Sequence, residues 1–263
     1  MRAERTEKAN SLKSRLARNE LTIGSWVTLA HPSIAEIMAA AGFDWLVIDA
    51  EHSVIELADV QLLIQAMQLH DCPAIVRLTS NDGNQIKRVM DSGATGIMVP
   101  QVNNAEQATE AVQHAHYPPQ GTRGVGLARA QGYGADFRRY VEWLPDHAVV
   151  VVMIEHGDAV KHIDEILAVD GVDAFIIGPY DLSASMGMPG EIDHPDVRAA
   201  IARTCEAGLA HGKPGGVHVV EPDRDQLYRQ IDAGHRFLGY GLDIRILDAH
   251  CRGDLRRIHD RYD

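Results

Sequence analysis

The sequence predicts a single α/β domain of the (β/α)₈ TIM-barrel class. Three observations carry this expectation. Eight short apolar runs are spread along the chain, stretches with apolar residues at helical spacing lie between them, and the length of 263 residues suits one barrel of about 250 residues.

The apolar runs occupy residues 23–29, 45–49, 74–78, 96–102, 149–155, 174–178, 216–220 and 237–241. Several are apolar at almost every position, as in Val149-Val150-Val151-Val152-Met153-Ile154. A strand buried on both faces has that character, and a parallel sheet covered by helices requires it. Between the runs, residues 105–115, 158–169 and 195–211 carry apolar side chains at helical period. Pro32, Pro195 and Pro222 stand where helices are expected to begin. Eight strand–helix units within about 230 residues favour a closed barrel over an open sheet. Residues 1–20 read as a polar helical lead-in and residues 21–263 as one barrel domain, with no linker or low-complexity segment. The Gly- and Arg-rich stretch 117–140 is irregular and is expected to shape the mouth of the barrel.

Composition narrows the function classes. The formal net charge of −12 argues against nucleic acid or an anionic membrane as principal partner, because both need basic patches. No apolar run approaches the roughly 18 residues of a membrane span. The first twenty residues are charged and lack a hydrophobic signal core. Cys72, Cys205 and Cys251 are scattered without metal spacing, which fits a reduced, cytoplasmic setting.

In such barrels, chemistry gathers at the C-terminal ends of the strands. The second run ends Asp49-Ala50-Glu51-His52, the third Val76-Arg77, the fifth Ile154-Glu155 and the sixth Gly178-Pro179-Tyr180-Asp181, while the seventh carries His218. Taken singly, a carboxylate just past a strand is more often a helix cap or a solvated loop residue. A lone Arg there is as often in a structural ion pair as on a ligand. Together, carboxylates, an imidazole and a guanidinium on one rim suit oxygen-ligand metal chemistry on an anionic substrate.

These residues also carry a family resemblance. Asp49-x-Glu51-His52-Ser53, Val76-Arg77, Gly121-Thr122-Arg123-Gly124-Val125-Gly126, Ile154-Glu155 and Gly178-Pro179-x-Asp181-Leu182-Ser183 stand in order. The chain resembles the HpcH/HpaI aldolase family, the class II pyruvate aldolases, over residues 24–247. The separations of 25 residues from His52 to Arg77 and 26 from Glu155 to Asp181 are similar to the family pattern. The resemblance implies a metal-dependent lyase that cleaves a 4-hydroxy-2-oxo acid to pyruvate and an aldehyde. It also implies a homo-oligomer, often a hexamer built as a trimer of dimers. Glu155 and Asp181 would hold one Mg²⁺, Mn²⁺ or Co²⁺ ion. Backbone N–H groups around Tyr180 and Asp181 would hold the substrate carboxylate, and Arg77 the keto oxygen. His52 would take the proton of the aldol hydroxyl or direct a water on the ion, leaning on a carboxylate that corresponds to Asp91. Asp49 would support the rim, and Trp26 would wall the pocket.

Three departures bear on the aldehyde half. Met153 stands where many members have Gln, Tyr180 where Ala is common, and His218 where sugar-acid aldolases have an apolar residue. His218 is expected to line the aldehyde subsite, the other reading being a ring bonded to a backbone carbonyl of a neighbouring unit. Arg123 either contacts an anionic substrate tail or pins its loop. A Schiff-base mechanism needs a lysine at a strand end, and none of Lys8, Lys13, Lys87, Lys161 and Lys213 is placed there. No Gly-x-Ser-x-Gly elbow is present. Two other readings stay open: a C–C lyase acting on an acyl-CoA, and a catalytically silent barrel that binds a 2-oxo acid or serves as a scaffold.

Overall fold

The computed structural model describes residues 11–262, so residues 1–10 of the expected lead-in lie outside the described part. Eight parallel strands close in sequence order into one barrel. The chain runs α1 Leu12–Ala17, β1 Thr22–Val27, α2 Pro32–Ala40, β2 Trp45–Asp49, α3 Leu57–Gln68, β3 Ala74–Arg77, α4 Gly83–Asp91, β4 Gly96–Val99 and α5 Ala105–Ala115. A short 3₁₀ stretch, Arg129–Gly134, leads into α6 Phe137–His147. There follow β5 Val149–Ile154, α7 Gly157–Lys161, α8 Ile163–Leu167, β6 Ala174–Ile177, α9 Pro179–Ser185, α10 Pro195–Ala210, β7 Gly215–Val219, α11 Arg224–Asp232, β8 Phe237–Leu242 and α12 Asp243–Tyr262.

The period of two along each strand sorts its side chains into two cores. Trp26, Trp45, Val47, Ile75, Met98, Val149, Val151, Met153, Ile176 and Phe237 fill the barrel. Val27, Leu46, Ile48, Val76, Ile97, Val150, Val152 and Ile177 face the helices. The barrel interior is unusually aromatic: Trp45 stacks on Phe237 at 4.2 Å and meets Trp26 edge-on at 5.8 Å. Glycine makes the room. A Cβ on Gly24 would lie 2.1 Å from the Trp45 ring, and one on Gly239 would lie 2.3 Å from Trp26.

The lead-in is less peripheral than its polar sequence implies. Leu12 and Leu16 are buried and join the barrel-interior core. Lys13 Nζ donates to the Ala148 carbonyl at 2.7 Å and pairs with the Asp173 carboxylate at 3.1 Å. α1 therefore closes the N-terminal end of the barrel. Pro32 and Pro195 open their helices as expected. Pro222 instead precedes Asp223, whose carboxylate caps α11. The expected helix over residues 158–169 is two short helices meeting at His162.

The stretch 117–140 corrects an expectation. It connects α5 to α6 and so lies at the N-terminal end of the barrel, not at the mouth. Its amides pair with the end of α5, Thr122 N–H with the Gln113 carbonyl and Arg123 N–H with that of His116. Among the described residues, no helix is long and apolar enough to cross a membrane.

Candidate active site

At the C-terminal rim, β2 ends in Asp49 and β3 in Arg77, paired in register. Both project into the barrel mouth, above the interior residues Val47 and Ile75. Asp49 grips Arg77 with both oxygens, taking Nε at 2.9 Å and Nη2 at 2.6 Å. Its Oδ1 also accepts the Glu51 and His52 N–H groups at 3.1 Å each. Burial works against the charge on Asp49, yet the Arg77 guanidinium and these amides hold its carboxyl below the usual carboxylate range. One residue thus fixes the guanidinium and the backbone carrying His52. Arg77 Nη1 has no hydrogen-bond partner among the described residues.

Glu155 follows β5 and is 3% exposed, so its ionisation is dominated by its surroundings. Its Oε1 accepts the Gln101 N–H at 2.7 Å. Gln101 adopts φ 53° to present that amide, a left-handed conformation that costs a non-glycine residue energy. Burial, with the charges of Glu51 and Asp181, pushes the Glu155 carboxyl up to about 7 despite this hydrogen bond. Asp181 lies in the first turn of α9. A Cβ placed on Gly178 would lie 2.9 Å from Glu155 Oε2 and 3.9 Å from Asp181 Oδ2. The two carboxylate oxygens therefore converge over a glycine whose missing side chain leaves the space open.

That convergence fits a hard divalent cation. The free oxygens are hard donors, and burial disfavours the charged form of Glu155, which an adjacent cation would favour. Among the described residues, no group of three or more His, Cys, Asp or Glu side chains could hold a metal. Two protein oxygens would leave most positions of an octahedral ion to water and substrate, as suits Mg²⁺-like ions.

The other expected residues divide. Trp26, near the end of β1, is 2% exposed and packs into the barrel-interior core. His218 stacks on it at 4.0 Å, and its Nε2 lies 2.7 Å from the Gly241 carbonyl oxygen. The bond to a neighbouring unit's carbonyl is thus present at one ring nitrogen. Tyr180 is exposed beside Asp181. The first-turn amides of Tyr180 and Asp181 have no intrahelical carbonyl to bond. Met153 sits two residues below Glu155 in the barrel core and offers no polar contact there. His52 is well exposed, with Nε2 3.9 Å from Glu51 Oε2.

Within one chain, Asp91 is not brought to His52. It ends α4, and a helix following a strand runs back toward the N-terminal end of the barrel. There its Oδ1 accepts Arg123 Nη2 at 2.5 Å. The Arg123 side chain is fully buried, donates to Tyr140 Oη at 3.0 Å and stacks over the Tyr117 ring at 4.7 Å. Within the chain, then, Arg123 pins its loop instead of reaching the Glu155–Asp181 site. Lys13 and Lys213 bond carbonyls at that same end, of Ala148 and Val172, far from the carboxylate pair. A surface cavity of about 380 Å³ lined by Gln68, Arg129, Tyr133 and Trp143 also lies outside the barrel mouth, and the charge cluster is the better guide to chemistry.

The family model described as HpcH/HpaI aldolase/citrate lyase matches residues 22–248. The chain belongs to this family. It is 39% identical over 240 residues to a hydroxypyruvate/pyruvate aldolase of Roseobacter denitrificans, covering 90% of this chain and 93% of that one. Identity is again 39% to a 4-hydroxy-2-oxo-heptane-1,7-dioate aldolase of Escherichia coli, over 90% of each chain. A crystal structure of a family protein from Burkholderia cenocepacia superimposes with a TM-score of 0.89 at 34% identity, covering 95% of this chain and 99% of that one.

Two residues of this aldolase-family chain stand at the site without a role assigned from the sequence, Glu51, named there only as part of the rim motif, and Gln101. Glu51 Oε2 approaches Arg77 Nε at 3.5 Å, and burial raises its pKa although Arg77 and His52 oppose the rise. The signal was available, since Asp49 and Glu51 share the parity that turns side chains into the mouth. Gln101 had no such signal, because it contributes a backbone amide.

Proposed function

We propose that this chain is a divalent-metal-dependent pyruvate aldolase that reversibly cleaves a 4-hydroxy-2-oxo acid to pyruvate and an aldehyde. The observation that carries this reading is the convergence of Glu155 Oε2 and Asp181 Oδ2 over Gly178, with the free edge of Arg77 in the same mouth. Relatives named as aldolases, aligned over nine-tenths of the chain, support it.

Glu155 and Asp181 would hold a divalent ion, which would supply Lewis-acid stabilisation of the negative charge that develops on the substrate. The Tyr180 and Asp181 amides take the substrate carboxylate. Arg77 donates from Nη1 to the 2-oxo oxygen, its other nitrogens being held by Asp49. As the C3–C4 bond breaks, its electron pair moves toward C2 and the 2-oxo oxygen, where Arg77 stabilises it. His52 takes the proton of the 4-hydroxyl, and the aldehyde leaves. Protonation at C3 then yields pyruvate. His52 is exposed and held at its backbone by Asp49, so its ring can swing to the hydroxyl.

Mg²⁺, Mn²⁺ or Co²⁺ would serve as the ion. A homo-oligomer, of the hexameric kind that the family resemblance implies, is supported by an apolar stripe left exposed on α12. The free thiols Cys72, Cys205 and Cys251 support a reducing, cytoplasmic setting.

The test is a retro-aldol screen of 4-hydroxy-2-oxo acids coupled to pyruvate detection. EDTA should abolish turnover and added Mg²⁺, Mn²⁺ or Co²⁺ restore it. Full activity in EDTA, or covalent trapping of pyruvate by borohydride, would overturn the mechanism. Cleavage of CoA thioesters alone would move the chain to the acyl-CoA lyases, and no turnover of either class would leave a binding barrel.

A further inference from the structure

We infer that His218 recognises a hydroxyl group on the aldehyde, its Nδ1 accepting a hydrogen bond from that hydroxyl, so that the enzyme favours short hydroxylated aldehydes. The inference rests on the aldolase reading above and specifies its substrate class.

The ring is locked at one edge. A carbonyl oxygen only accepts, so the 2.7 Å contact of Nε2 with the Gly241 carbonyl places the hydrogen on Nε2. The neighbouring Cδ2 packs on the same strand, since a Cβ on Gly239 would lie 2.9 Å from it. Cδ2 and Nε2 together form the edge against β8, so Nδ1, on the other side of the ring, faces away from β8. Stacking on Trp26 at 4.0 Å, with only 10° between the planes, fixes the plane of the ring, and the Nε2 bond to Gly241 selects its orientation within that plane.

The free nitrogen is an acceptor. Burial pushes the His218 imidazole down to about 4, although the Gly241 carbonyl favours the charged form. At neutral pH the ring is therefore neutral, and Nδ1 keeps its lone pair. No donor among the described residues bonds to it. His218 stacks on the barrel-interior Trp26 toward the end of β7, and the charges of Arg77 and Asp49 are near enough to act on the ring.

The chemistry decides which half of the substrate it meets. The oxygens of bound pyruvate are acceptors and call for a cation and for N–H donors. A lone pair on nitrogen has nothing to offer them, whereas an aldehyde hydroxyl can donate to it. An apolar aldehyde would leave Nδ1 unpaired, and sites built to bond a hydroxyl reject analogues that lack it.

The experiment compares glycolaldehyde with acetaldehyde, each with pyruvate and saturating Mn²⁺, in the wild type, His218→Leu and His218→Gln. The quantity read is the ratio of the two kcat/KM values within each protein, so differences in folded fraction cancel. The wild type should favour glycolaldehyde. His218→Leu should lower the ratio by about 10-fold, the equivalent of one net hydrogen bond. His218→Gln keeps an acceptor oxygen and should recover part of it. An unchanged ratio in both variants overturns the inference. So does a loss seen only when hydroxypyruvate replaces pyruvate, because the hydroxyl sensed would then belong to the 2-oxo acid. Deuterium exchange into the pyruvate methyl group by the wild type, without aldehyde, tests the aldolase reading separately. Absence of exchange removes that reading and this inference with it, whereas exchange with an unaltered aldehyde ratio removes the inference alone.

Discussion

Arg77 shows how one side chain can be both held and available. Asp49 occupies Nε and Nη2, which fixes the guanidinium plane and turns Nη1 to the mouth. Lysine keeps the charge but has no planar fork with which to bond Asp49 and a ligand together. Arg77→Lys should therefore lower kcat by roughly 10²–10³, the usual loss for one oxyanion donor, while the Mn²⁺ dissociation constant from calorimetry stays nearly unchanged. A fall in kcat of less than about fivefold would count against the role.

Glu155 makes a prediction about stability. Burial and neighbouring carboxylates raise its pKa to about 7 in the folded chain, above the ordinary value for an unfolded one. The folded state then binds the proton more tightly than the unfolded state. The associated stabilisation is present below pH 4 and is lost as pH rises through 7. Metal-free protein should show that loss in its melting temperature, and Glu155→Gln should flatten this part of the profile. A divalent cation requires the ionised carboxylate, so Mg²⁺ should raise the wild-type melting temperature more at pH 8 than at pH 5.5. Equal stabilisation at both pH values would separate Glu155 from the metal.

At the scale of elements, the strands were legible because burial on both faces leaves a run with few polar interruptions, as in β5. Interior parity then places Asp49, Arg77, Glu155 and His218 in one mouth. The ends of the barrel were harder to assign. Segments after strands lie at the mouth and segments after helices at the floor, so Asp91, at the end of α4, and Arg123, after α5, belong to the floor. The family resemblance that pointed to Asp91 does not say which end of the barrel it occupies within one chain. The partner of His218 was not legible either, since the Gly241 carbonyl is a backbone group 23 residues away. The floor assignment of Arg123 has a measurable consequence. Its buried guanidinium joins Asp91, Tyr140 and the Tyr117 ring, and removing one partner of a buried ion pair costs about 3 kcal/mol or more. Arg123→Leu should lose that much in urea unfolding. A raised substrate KM at unchanged stability would instead make Arg123 a ligand contact.

Across the whole molecule, α12 is the long helix that the rest of the chain covers least. It spans 20 residues, of which Asp243 alone is buried. Asp243 anchors its start by accepting the Thr28 and Leu29 N–H groups at 2.7 Å each. Beyond that anchor, Ile244, Leu247, Leu255, Ile258 and Tyr262 are all exposed, and with Cys251 they are spaced three and four residues apart. That spacing lays one apolar stripe along the helix, while Arg245, Asp248 and Arg252 pair among themselves beside it. An exposed apolar stripe of this length marks an interaction surface, and a second copy of the chain is the partner that the family resemblance implies. Leu255→Glu with Ile258→Glu should shift sedimentation toward smaller species while far-UV circular dichroism keeps the barrel signature. Lost helicity and soluble aggregate would show that the stripe serves the fold of one chain. An unchanged sedimentation coefficient with intact folding would place the subunit contact elsewhere on the barrel.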